Sequence, residues 1–223
     1  MSSRPLHFIW ILDTSGSMTG EKIQSLNYAI RESVPSLRKT ARENPNAEVL
    51  VRAVTFSTGA RWHVATPTPV ADFTWDEVTA GGVTDMGEAL ALVAEQIKIP
   101  PMTDHALPPV LILVSDGWPT DNFNAGLNKL LAEPWGRKSI RLAISVGRDA
   151  ERDVLAAFMG STGLVPLEAN NSGMLADYVR WASTAVIKSA SAPAIDPSSP
   201  LGEIGGMPIP APPAQPDIDK LVW

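Results

Sequence analysis

Leu6-His7-Phe8-Ile9-Trp10-Ile11-Leu12 is a nearly unbroken apolar run, and Asp13-Thr14-Ser15-Gly16-Ser17 closes it. The run has the length and composition of a strand buried on both faces. It therefore delivers a D-x-S-x-S loop to a strand's C-terminal end, the place where open α/β sheets bind ligands. One carboxylate and two hydroxyls at alternate positions, with Gly16 letting the loop curl, make a concave cluster of oxygen donors. Such a cluster suits a hard divalent cation, Mg²⁺ before Ca²⁺, because hydroxyl and water ligands fit an octahedral site.

Outward from that loop, strand and helix patterns alternate. Ile23, Leu26, Ile30, Val34 and Leu37 recur at helical spacing over 20–41, with Pro35 predicting a kink or shift. Residues 48–57 read as a second strand and 60–65 as its hairpin partner at the sheet edge. A helix is expected over 86–99, stopped by Pro100-Pro101. Val110–Ser115 is another run of buried-strand type, followed by a helix over 123–132 with Asp121 as its N-cap. A strand over 139–146, a helix over 151–159, a strand over 164–167 and a helix over 173–188 complete the pattern. The expected fold is α/β: a doubly wound, mainly parallel sheet with one antiparallel edge strand and helices on both faces. The domain is expected to occupy residues 1–188. Residues 189–223 read as a Pro-rich acidic tail: eight of the chain's 20 prolines fall there, and such a segment is too poor in bulky apolar groups to offset its ordering entropy.

Composition narrows the function. A net charge of −6 and a pI near 5.1 argue against nucleic acid, which needs a basic patch to release counterions. The absence of cysteine excludes thiolate zinc and disulfides. No secretory leader is visible, and no apolar stretch approaches the roughly 20 residues of a membrane span, so a cytoplasmic location is expected. Residues 16–22 are Gly-rich and run into a helix, but they lack phosphate-loop spacing and place Glu21 where a phosphate would be repelled. His7, His63 and His105 lie in unrelated segments, and His7 is expected to be a core or edge residue. Trp10, Trp62, Trp75, Trp135 and Trp181 read as packing residues.

Two further strand-end segments can complete the first loop. Gly81-Gly82-Val83-Thr84-Asp85-Met86-Gly87 leads into the second helix and offers the Thr84 hydroxyl. Ser115-Asp116-Gly117 ends the buried strand and brings Asp116 to the same edge as Asp13. With ILDTSGSM, GGVTDMGEAL and LVSDGWPTD quoted together, the chain resembles a von Willebrand factor A domain from residue 6 to about 188. Asp13, Ser15, Ser17, Thr84 and Asp116 match that family's metal-ion-dependent adhesion site position by position. Within the superfamily it is most similar to TerY-like proteins of bacterial tellurium-resistance clusters, on Gly117-Trp118-Pro119-Thr120-Asp121 and overall length.

The resemblance implies a protein-interaction module with no enzymatic activity. Ser15, Ser17 and Thr84 would ligate Mg²⁺ directly, with Mn²⁺ or Ca²⁺ as alternatives, while Asp13 and Asp116 act through water or as acceptors behind them. An open coordination position would take an Asp or Glu of a partner protein, for which a kinase or phosphatase of the same gene cluster is a candidate. The role implied is a scaffold in a bacterial stress-response assembly. Met18, Met86, Trp118 and Pro119, apolar and next to the ligand loops, are expected to form its rim. Asp85 and Asp121, near helix starts, are read as caps and left outside the ligand set. An alternative from another class is a Mg²⁺-dependent phosphohydrolase using Asp13 as nucleophile. That chemistry wants a second aspartate two residues on, where this chain has Ser15. A further expectation concerns the tail, whose Glu203, Asp217, Asp219 or terminal carboxylate would act as a tethered pseudo-ligand for the metal.

Overall fold

The computed structural model describes residues 3–147, 150–160, 164–190, 203–204, 207–208 and 211–213. Six strands form one sheet in the order β3-β2-β1-β4-β5-β6. These are β1 (Arg4–Asp13), β2 (Ala47–Ser57), β3 (Gly59–Pro69), β4 (Val110–Ser115), β5 (Ile140–Val146) and β6 (Leu167–Ala169). All neighbours run parallel except β2 and β3, an antiparallel pair whose ladder shifts register around Ala53. Leu6 and Phe8 to Leu12 are buried, as is every residue of β4, which explains why both segments read as continuous apolar runs.

Among the described residues, six α-helices connect and cover the strands: α1 (Glu21–Arg42), α2 (Met86–Ala94), α3 (Phe123–Ala132), α4 (Pro134–Lys138), α5 (Arg152–Met159) and α6 (Ser172–Ala190). The chain steps from β1 outward to β2 through α1, then returns across β1 to β4 through α2. With right-handed crossovers, these opposite steps put α1 and α2 on opposite faces. Accordingly α1 packs with α6 and α2 with α3. The reversal makes the gap between the carboxyl ends of β1 and β4 the topological switch point, where a crevice must open. Register fixes that edge: Leu12 lies beside Val114, and Asp13 beside Phe56.

Several boundaries differ from the sequence reading. The second helix ends at Ala94, not Ile99. Gln96 and Ile97 donate instead to Val93 and Ala94, tighter turns that still bury Ile97. The periodic apolar signal thus outlasts the α-helical bonding. α1 continues through Pro35. The carbonyl that proline leaves without a donor is that of exposed Arg31, which water can satisfy. The last strand falls at Leu167–Ala169, beyond Pro166, which lacks a ladder donor. α4, with proline at its first position, was not anticipated.

The α2–α3 contact is unusually close because both helices present glycine. A Cβ on Gly126 would stand 2.1 Å from the Gly87 carbonyl oxygen, and one on Gly87 would stand 2.5 Å from that of Asn122. Backbone rests on backbone here. In the tail, Glu203–Ile204 (β7) pairs with Met207–Pro208 (β8), and Pro212 lines a cavity of about 150 Å³ with Leu142, Met159 and Trp181. Asp217, Asp219 and the terminal carboxylate of Trp223, three of the four groups in the pseudo-ligand expectation, lie outside the described residues; the fourth, Glu203, falls in β7. Among the described residues no helix is long and apolar enough to cross a membrane.

Candidate metal centre

The three loops singled out in the sequence meet at the switch point. The first, after β1, folds into a short 3-10 turn over Gly16–Met18. The second is pinned to it through the backbone: Gly81 N–H donates to the Thr14 carbonyl at 2.8 Å, and Gly16 N–H to the Gly82 carbonyl at 2.9 Å. Gly82 has φ +86°, and a Cβ there would lie 2.6 Å from Thr58 Oγ1, so only glycine fits this junction. Thr84 is locked to the third loop in both directions. Its N–H donates to Thr120 Oγ1 at 2.9 Å, and its carbonyl accepts from Thr120 N–H at 2.8 Å. Asp85 closes the clamp by accepting from Thr120 Oγ1 and from Gly59 N–H.

Asp13 sits deepest, at 0% exposure. Its Oδ1 accepts from Ser15 N–H at 2.8 Å and its Oδ2 from Ser115 Oγ at 2.5 Å. Burial pushes its carboxyl above the usual carboxylate range; the bonds from Ser115 and Ser15 oppose that, and the nearby Asp116 charge adds to it. Above it, Ser15 Oγ and Ser17 Oγ are 2.9 Å apart, and Ser17 Oγ donates to Asp116 Oδ1 at 2.7 Å. The Ser17 proton is spent on Asp116, so Ser15 supplies the proton of the serine pair. Both hydroxyls thus turn their protons along the chain toward Asp116 and keep oxygen lone pairs for a cation.

Thr84, nearly buried, faces the same space. A point one Cβ length from Gly117 lies 3.6 Å from Ser17 Oγ and 3.9 Å from Thr84 Oγ1, so the two hydroxyls flank the hollow over Gly117. The donor set is oxygen only. Among the described residues no cluster of three or more His, Cys, Asp or Glu side chains is placed to hold a metal. Two carboxylates backed by three hydroxyls fit a hard cation such as Mg²⁺ or Mn²⁺ and are a poor fit to thiophilic metals.

Sequence reasoning missed four participants. Ser115 anchors Asp13. Lys22, on the first turn of α1, reaches Asp116 Oδ2 at 2.5 Å, where the Asp116 side chain is fully buried. Thr120 and Asp85 hold Thr84. Two expectations are corrected. Asp121 does not cap its own helix; Asn122 does, accepting from Ala125 N–H. Asp121 instead accepts from Gly87 N–H and Glu88 N–H, capping α2 across the glycine contact. Met18 and Met86 are fully buried, so they form no rim; Trp118, next to the third loop's Asp116 and Gly117, is 66% exposed. His7 and Trp10 are buried, and Trp62, Trp75 and Trp181 pack partly buried against the core.

No protein-family model and no curated protein matches the chain. Solved structures do. It superposes on the ArnB paralog VWA2 from Sulfolobus acidocaldarius with TM-score 0.60 and 18% identity, over 81% of this chain and 46% of that one. A von Willebrand factor type A protein from Catenulispora acidiphila gives 0.63 and 18%, over 84% and 43%. Proximal thread matrix protein 1 from the mussel byssus, solved with zinc in its adhesion-site motif, gives 0.60 and 18%, over 81% and 48%. The chain spans less than half the length of each of these three. At such identity the likeness speaks for architecture, and the architecture of this chain is that of a von Willebrand factor A domain.

Proposed function

We propose that this protein is a divalent-cation-dependent protein-interaction module. Ser15, Ser17 and Thr84 hold Mg²⁺, with Mn²⁺ fitting the same donors, while Asp116 accepts from the Ser17 hydroxyl, Asp13 holds the Ser15 backbone N–H, and both supply negative charge. The bound cation contributes an electrophilic position that takes an Asp or Glu side chain of a partner. The observation that carries this reading is the hydroxyl chain Ser15–Ser17–Asp116 lying over buried Asp13, with Thr84 clamped across the hollow from it. The phosphohydrolase alternative fits less well. Both Asp13 oxygens are engaged, by Ser15 N–H and Ser115 Oγ, and the side chain is out of reach of solvent, whereas a nucleophile needs a free oxygen facing its substrate. The resemblance to TerY-like proteins adds a setting to this reading: a scaffold in a stress or tellurium-resistance assembly with a kinase or phosphatase among its partners.

Calorimetric titration with MgCl₂ and MnCl₂ tests the core of the proposal. The wild type is expected to take up one ion saturably, and Asp13→Ala and Thr84→Val to lose uptake while keeping the wild-type circular dichroism spectrum. Binding confined to the folded state also raises stability, by about 2.7 kcal/mol at a hundredfold excess over Kd. Equal uptake by wild type and Asp13→Ala would refute the site.

A further inference from the structure

Past Asp116 the third loop leaves the metal centre as Gly117-Trp118-Pro119 and borders a groove of about 510 Å³. The start of α3 and the first turns of α5 form its other walls. Trp118 projects here at 66% exposure, and Pro119, Phe123 and Val154 supply further apolar lining. Among the described residues, the charged groups lining the groove are Asp121 and Asp153, both carboxylates. Among the described residues of this stretch, Arg152 at the start of α5 is ion-paired to Glu168.

This combination selects its occupant. An apolar side chain laid over the groove would strip water from the Asp153 carboxylate with no compensation, Asp121 being already held by the Gly87 and Glu88 N–H groups. An anionic one would be repelled. A guanidinium satisfies both surfaces, since its plane stacks on the Trp118 ring while its N–H groups reach a carboxylate. The groove also adjoins the metal centre in sequence and space. Trp118 and Pro119 follow Asp116 by two and three residues, a reach of no more than about 11 Å in extended chain.

We infer that the groove receives an arginine of the same partner segment whose Asp or Glu meets the metal, so the recognised element is an acid–arginine pair separated by no more than about four residues. This deepens the proposed function and rests on it.

Selection of a random peptide library on the immobilised full chain, in MgCl₂ and in EDTA, tests the inference. The expected motif is Asp or Glu with Arg nearby, enriched only in Mg²⁺. Trp118→Ala and Asp153→Asn, both at exposed positions, should return Arg to background frequency and keep the acid. They should weaken a selected peptide about three- to tenfold and leave Mg²⁺ uptake by calorimetry unchanged. An acid enriched without Arg, an apolar or aromatic companion in its place, or Arg enrichment that survives Trp118→Ala would overturn the groove assignment and leave the metal reading standing. A motif with no acid, enrichment that ignores EDTA, or no enrichment at all would overturn both.

Discussion

Gly126→Ala puts the α2–α3 contact to a quantitative test. Alanine is the better helix former by about 1 kcal/mol, so propensity alone makes the variant more stable. The structure says the reverse. The new Cβ would stand 2.1 Å from the Gly87 carbonyl oxygen and 2.6 Å from its Cα, where ordinary contact begins at 3.4 Å. These are backbone atoms and cannot rotate aside, so the helices must part by more than an ångström. Overpacking of this kind costs about 1–3 kcal/mol, and a rigid neighbour places it at the upper end. Net of propensity, about 2 kcal/mol of stability is lost, or about 4–8 °C in Tm for a chain of this size. Because α2 opens just after Thr84, divalent-ion uptake should weaken in the same variant. Thermal unfolding followed by circular dichroism, beside calorimetric titration with MgCl₂, reads both effects. A Tm equal to or above wild type would refute the close-packed crossing.

Three further perturbations have defined outcomes. Burial, with the Arg52 charge adding to it, pulls His7 down to about 4. A histidine depressed in the folded state lends stability that is present above pH 6.5 and lost as pH falls toward 4, about 3 kcal/mol over that window. Urea midpoints between pH 7 and 4 should show this acid limb, and His7→Leu should flatten it; an unaltered limb would mean other groups set it. Ser115→Ala leaves Asp13 Oδ2 buried without its hydroxyl donor and should lower stability by about 1–3 kcal/mol in urea unfolding; an unchanged midpoint would show the bond to be immaterial. Lys22→Met removes the ammonium on Asp116 and should tighten Mg²⁺ binding severalfold, most at low salt. Calorimetry showing equal or weaker binding would mean Lys22 does not compete with the cation.

The strands at the centre were legible because burial on both faces leaves nothing polar to interrupt them, as in Leu6–Leu12 and Val110–Ser115. At the periphery that signal fades. β3 extends to Pro69, four residues beyond the predicted strand, because residues 66–69 are mostly exposed and carry no apolar alternation. β6 is too short to show a period. Asp13, Ser15, Ser17 and Asp116 were legible as residue types at two strand ends, those of β1 and β4, whereas Thr84, expected at a third, lies fifteen residues past the end of β3 on the approach to α2. Their supports were not, because each depends on a distance across the fold. Ser115 lies 102 residues from Asp13, and Lys22 lies 94 from Asp116. Asp121 misled for a related reason. A carboxylate ahead of a helix looks like that helix's cap, and only the glycine-to-glycine approach of α2 and α3 brings a second helix start within its reach.

That approach has a consequence for what the surface can measure. Thr84 enters α2 and Asn122 enters α3, and at Gly87 and Gly126 the two helices touch main chain to main chain. On the proposed reading, the cation's seat and the α3 wall of the aromatic groove are thus mounted on a single stiff frame, whose span behaves like the jaws of a caliper. The proposal then implies that a partner with the right two charges at the wrong separation finds nothing in the frame that yields, and is turned away by length alone.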